Sequence, residues 1–193
     1  EYVMFVDSDD ALAPGALESM FSGVDGEDLV VGGFIEYIGD IPHRNVTPDS
    51  SVSYKDDSLA AFYDANVRRN CEMLDAPWGK LFRRKTLGSL RFNERLSYAE
   101  DKLFVFEFLL QCNGIRTCDA VVYDYYLRPG SLGSDIRSDR HLAQMEIFLP
   151  LYSGVLDKIA RRFPTSRKAV SLYHDDLIGR YVCRVLNILA TRR

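Results

Sequence analysis

The chain opens on an apolar run, Tyr2-Val3-Met4-Phe5-Val6, that stops abruptly at Asp7-Ser8-Asp9-Asp10. A short, partly β-branched run ending in turn formers predicts a buried strand. Pro14, with Leu17, Met20, Phe21 and Val24 at helical spacing, predicts a helix next. Residues 28–39 are rich in Val, Ile and aromatics and predict a second strand. The Gly32-Gly33 pair in its middle predicts a bulge or a close backbone approach. Strand, helix, strand in that order predicts a parallel βαβ unit.

Residues 39–55 are polar and hold two prolines, which predicts a loop or an irregular hairpin. A helix follows over 56–70, with Asp57 or Ser58 as cap and Leu59, Phe62, Tyr63 and Val67 as its apolar stripe. Residues 76–87 are mixed and contain the sole tryptophan, Trp78. Residues 99–112 predict a helix whose first turn carries Glu100 and Asp101, where acids suit the dipole. Its Leu103, Phe104, Phe106, Leu109 and Leu110 exceed one stripe, so this helix is expected to be buried on more than one side. Residues 120–127 alternate as a strand. Arg128 to Ser134 read as a Gly/Ser/Pro loop, and 138–191 as helix broken near Pro164. The fold class is therefore α/β, with a partly parallel sheet in residues 1–135 and a helical C-terminal extension over 136–193.

Composition narrows the classes. A chain of 193 residues with 47% hydrophobic positions can build one proper core. A net charge of −4 argues against general nucleic-acid binding. The four cysteines show no CxxC spacing and the three histidines complete no zinc pattern. Reduced, mostly buried thiols of a cytoplasmic protein are the expectation. Residues 161–193 hold eight Arg/Lys against two Asp. Two readings of that basic tail stand: a solvated helix face, or peripheral contact with the inner membrane.

The acidic cluster is the first chemical candidate. Period-two geometry puts Asp7 and Asp9 on one side of a strand's carboxyl end, where open α/β sheets bind ligands. Mg²⁺ and Mn²⁺ take one or two protein carboxylates together with phosphate oxygens and water. A solvated acidic turn accounts for the same residues. Glu100 and Asp101 taken alone are acids favoured by the helix dipole. Trp78 is either a sugar-stacking platform or a core anchor. Lys80 can neutralise a phosphate, whereas Arg83 and Arg84 read as a solvated turn. Arg128, beside Gly130 and Ser131, is either a lid over a diphosphate or part of a plain surface loop.

Three segments in order carry a resemblance. They are "DSDD" with Leu12 and Pro14-Gly15 before a helix, then "APWGKLFRRKTLGSLRFNERLSYAEDKLFVFEFL" (76–109), then "YDYYLRPGSLGS" (123–134). Together they resemble the inverting GT-A glycosyltransferases of family 2, which build bacterial capsule and lipopolysaccharide chains, over residues 1–135. The resemblance implies sugar transfer with inversion from a nucleotide-sugar, a UDP-sugar first, to a saccharide or lipid-linked acceptor in cell-surface polysaccharide synthesis. It implies Mn²⁺ or Mg²⁺ at Asp9 and Asp7, with Asp7 also toward the nucleotide and Asp10 supporting the loop or facing the acceptor. It implies Asp101 as general base with Glu100 beside it, and Lys80 and Arg128 as donor contacts. The strands that hold the base in that family lie upstream of the acidic loop, so the chain is expected to match the C-terminal portion of a GT-A domain. Two other classes remain. One is a haloacid-dehalogenase-like phosphatase with Asp7 as nucleophile, against which stand Ala11 and the lack of a later Gly-Asp-x-x-x-Asp loop. The other is a non-catalytic, truncated transferase module.

Overall fold

The computed structural model describes residues 1–69, 71–128 and 139–164, and beyond them positions 168, 171, 175, 178, 179, 181–183, 185 and 186. A mixed sheet carries the fold. Its strands are β1 (Tyr2–Val3), β2 (Ala11–Leu12), β3 (Leu29–Ile38), β4 (Ile41–Val46), β5 (Ser53–Lys55), β6 (Lys80–Arg83) and β7 (Gly114–Leu127). The main order is β1-β6-β3-β7-β2, with β4 also on β3 and β5 also on β7. The helices are α1 (Ala16–Phe21), α2 (Leu59–Arg69), α3 (Arg84–Leu87), α4 (Glu100–Leu109) and α5 (Asp139–Arg162).

The expected βαβ unit takes a modified form. β6 lies between β1 and β3 and runs antiparallel to both, so β1 and β3 share a direction without pairing. The parallel pair is β3 with β7. The opening run is also less buried than its composition predicts. Only Tyr2 and Val3 form regular strand, Tyr2 to Phe5 are half-buried, and Val6 is 48% exposed. The reason is its place at the sheet margin, where β6 covers one edge.

The glycine pair does what its position predicts. The β3–β7 register shifts on both sides of Gly33. A Cβ on Gly32 would stand 2.4 Å from Val122 Cγ2, and one on Gly33 would stand 2.7 Å from the Val46 carbonyl oxygen. The Val122 side chain at Gly32 and the backbone of residues 46–47 at Gly33 leave no room for a Cβ. Beyond this point β4 replaces β6 as the neighbour of β3, and the β3–β4 connection is an irregular hairpin.

Helix α4 is buried on two sides, as its surplus of apolar residues predicts. Phe104 and Phe108 pack against Phe82 of β6, while Phe106 meets Tyr152 of α5. Arg162 at the end of α5 donates to the carbonyls of Leu110 and Cys112 just past α4, capping that helix from outside. Met145, Phe148, Tyr152, Val155, Leu156 and Ile159 of α5 belong to the same core as the sheet. α5 ends two residues before Pro164, where a helix break is expected. Residues 129–138, which include most of the expected Gly/Ser/Pro loop, lie outside the described residues. Among the described residues no helix is long and apolar enough to cross a membrane.

Candidate functional site

The acidic residues form one turn, closed by the Asp10 N–H donating to the Asp7 carbonyl at 3.2 Å. The end of β7 grips this turn at three points. The Asp7 N–H donates to the Tyr123 hydroxyl at 3.0 Å. The Tyr126 N–H donates to Asp10 Oδ1 at 2.9 Å. Arg128 donates to the Asp9 carbonyl at 3.1 Å and stands 3.4 Å from its carboxylate. β2 then leaves the turn antiparallel to β7, with Ala11 opposite Asp124 and Leu12 opposite Tyr123.

Crowding has an electrostatic consequence. Burial, then the charges of Asp10 and Asp9, push the Asp7 carboxyl above its usual range. Burial likewise raises Asp10, against the lowering effect of the Tyr126 N–H bond and of the Tyr123 hydroxyl beside it. Asp10 Oδ2 is buried without a partner in hydrogen-bond geometry. Excess negative charge held in a fixed turn favours a bound cation. No cluster of three or more His, Cys, Asp or Glu ligands exists among the described residues. A hard divalent ion that borrows phosphate and water oxygens needs only one or two carboxylates, so Asp7 and Asp9 fit such an ion.

The second carboxylate arrives from α4. The chain enters that helix through Ala99, held at φ 58 in the left-handed region, with no side-chain cap. Glu100 and Asp101 occupy the first turn, half-buried. The Asp101 pKa is raised to about 6 by burial, then by the charges of Glu100 and Asp7, while Lys80 opposes the rise. Asp7 and Asp101 thus feel each other across a long sequence separation. A sole acidic turn with a distant, unrelated helix start would not produce this coupling.

Lys80 stands elsewhere than its predicted phosphate role requires. It is only 1% exposed, and its Nζ donates to the carbonyls of Ala76 at 2.6 Å and Trp78 at 3.1 Å. Burial lowers its pKa to about 7, with Asp75 and Asp101 pulling the other way. Its Nζ points into the fold, so Lys80 supports the 76–80 segment. Arg128 is exposed and pairs with Asp9, at the rim of the turn. Asp10 is bound to β7, which suits loop support.

Trp78 is the core anchor rather than an open platform. It is 8% exposed and lies stacked on Tyr123 (4.7 Å, 6°) and Tyr125 (5.3 Å, 20°), with Phe34 against it edge-on. Tyr123 therefore carries weight that sequence reasoning missed: its ring holds Trp78 and its hydroxyl holds Asp7. The signal was present in the alternation of Tyr123 and Tyr125, which puts both rings on one face of β7.

Comparisons place this arrangement among known folds. No family model matches the chain, and no curated protein does. Solved structures do. The crystal structure of S. aureus TarS 1–349 in complex with UDP-GlcNAc matches with TM-score 0.56 and 21% identity, over 96% of this chain and 58% of that one. The S. aureus TarS structure matches with TM-score 0.57 and 19% identity, over 95% and 28%. TarS 1–349 in complex with UDP matches with TM-score 0.52 and 20% identity, over 83% and 41%. The chain thus spans less than two thirds of the length of each. The chain shares the mixed α/β fold of these TarS structures.

Proposed function

We propose that the chain carries the metal-binding and proton-accepting part of an inverting glycosyltransferase of the GT-A, family 2 type. Its donor is a nucleotide-sugar, a UDP-sugar first, and its acceptor a saccharide or lipid-linked saccharide of cell-surface polysaccharide synthesis. The observation that carries this reading is the packing of Phe5, two residues before Asp7, edge-on against Phe104, three residues after Asp101, with ring centroids 5.6 Å apart, which sets the acidic turn beside the start of α4. Likeness of fold to TarS, crystallised with UDP-GlcNAc, supports it.

In this reading Asp101 takes the proton of the acceptor hydroxyl as that oxygen bonds to the anomeric carbon. The bond from the anomeric carbon to the diphosphate oxygen breaks, and its electron pair leaves with the nucleoside diphosphate. Attack opposite the leaving group inverts the centre. A pKa of about 6 leaves Asp101 ionised at neutral pH and more basic than an ordinary aspartate, as a general base requires. Asp9 and Asp7 would hold Mn²⁺ or Mg²⁺, which when bound offsets charge on the departing diphosphate. Asp10 and Arg128 keep the turn in place, Lys80 supports the Trp78 segment, and Glu100 sharpens the field at Asp101.

The test is UDP release from UDP-GlcNAc in Mn²⁺, with water as acceptor. Asp101→Asn should slow it by about 100-fold or more. Equal rates in wild type and variant would remove Asp101 as the base.

A further inference from the structure

We propose that Arg128 competes with a divalent metal for Asp9: its guanidinium takes a cation's place on the acidic turn, and metal binding displaces it. This rests on the metal-binding reading above. Arg128 holds Asp9 at two points. One terminal N–H donates to the Asp9 carbonyl oxygen at 3.1 Å, and Nε stands 3.4 Å from Oδ2 of the carboxylate. Carboxylate and carbonyl oxygens are the hard donors that Mg²⁺ and Mn²⁺ take. Guanidinium and metal therefore call on the same residue.

The sheet puts Arg128 there. Ala11 opposite Asp124 and Leu12 opposite Tyr123 lay β2 on β7, and the Tyr126 N–H bond to Asp10 carries the pairing on to the turn. Arg128 comes two residues later, one past the end of β7 at Leu127. It thus meets a turn that holds Asp7, Asp9 and Asp10 within four positions. Burial raises the Asp10 pKa, and the Arg128 charge opposes that rise. Crowded carboxylates draw a cation, and here the chain supplies one of its own.

The pair is weak enough to be given up. Its side chains are 60% and 52% exposed, so water screens the attraction to roughly fivefold or less in an equilibrium constant. A divalent ion carries twice the charge and takes several oxygens at once, so it wins the carboxylate at the expense of the pair. The turn itself is held by other bonds as well. The Asp7 N–H bond to Tyr123 and the Asp10 N–H bond to the Asp7 carbonyl do not involve Arg128. A competitor and a mere brace predict opposite signs. Removing a brace weakens metal binding, whereas removing a competitor strengthens it.

The test is Mn²⁺ binding to the chain without nucleotide, read from the electron paramagnetic resonance of the free ion. Arg128→Gln should bind Mn²⁺ at least about threefold more tightly than wild type, and the gain should shrink in about 0.5 M NaCl, where screening weakens the pair. In the ¹⁵N-labelled wild type, Mg²⁺ should shift the Arg128 Nε–H signal in step with the Asp9 amide. Equal or weaker Mn²⁺ binding in Arg128→Gln, a gain unchanged by salt, or an Arg128 signal that stays fixed while the Asp9 amide moves would each overturn the competition. The metal-binding reading would then still stand, provided Asp9→Asn loses Mn²⁺. If Asp9→Asn binds Mn²⁺ as wild type does, or neither wild type nor Arg128→Gln binds it, that reading falls first and the competition with it.

Discussion

Tyr123 joins two parts of the molecule: its hydroxyl accepts the Asp7 N–H at 3.0 Å, and its ring lies 4.7 Å from Trp78, nearly parallel to it. Tyr123→Phe keeps the stack and removes the acceptor. The half-buried Asp7 N–H then loses its partner, at a cost of roughly 1–3 kcal/mol. The expected outcome is a modest fall in stability with a larger loss of metal-dependent UDP affinity, read by urea unfolding and calorimetry. Unchanged UDP affinity would separate Tyr123 from the turn.

Lys80 gives stability a pH dependence of definite sign. Its folded pKa is about 7, below the ordinary 10.5, so between those values the unfolded chain holds more protons than the folded one. Stability therefore rises with pH across that window and is lowest below pH 7 with respect to this group. A neutral amine has two N–H groups, matching the two carbonyls it faces. Lys80→Met should lose the rise between pH 7 and 9 in urea unfolding. It should also be less stable at pH 9, because two carbonyls are left unpaired. An unaltered pH slope would show that Lys80 does not titrate in that range.

Asp101 predicts the acid limb of the activity profile. With a pKa raised to about 6, chiefly by burial, turnover should fall as pH drops through that value. For stability the same shift acts oppositely to that of a salt-bridged acid: the buried charge is a cost above pH 6, relieved as pH falls through about 6. A pH profile of UDP release reads the first effect. A limb near pH 4 would mean that an ordinary, exposed carboxylate controls the rate.

Gly33 predicts a purely structural failure. Gly33→Ala would press a methyl against the Val46 carbonyl oxygen and Thr47 Cγ2, the latter 2.3 Å away. Overpacking of this kind costs about 1–3 kcal/mol. Urea unfolding should show the loss, with no change in the pH dependence that Lys80 creates.

Much of this was legible in the sequence, for identifiable reasons. The Gly pair announced a close approach, and the surplus apolar residues of 99–112 announced a helix buried on two sides. Both signals are local and steric. The fold class followed from element order. What the sequence hid was long-range. Nothing local says that β6 inserts between β1 and β3, so Tyr2 to Val6 read as a buried strand although they lie at the sheet margin. Lys80 read as a phosphate ligand because charge normally means exposure. Only the fold reveals two backbone carbonyls turned inward to receive it. Tyr123 was overlooked because its role depends on a turn more than a hundred residues away.

In the proposed function the acidic turn binds a metal and a nucleotide diphosphate together. The most direct measurement is isothermal titration of UDP into the chain with Mn²⁺ present. Binding heat should appear that EDTA abolishes and that Asp9→Asn weakens by at least about tenfold, while Asp101→Asn retains it. Heat that is equal in Asp9→Asn, or no Mn²⁺-dependent heat in the wild type, would contradict it.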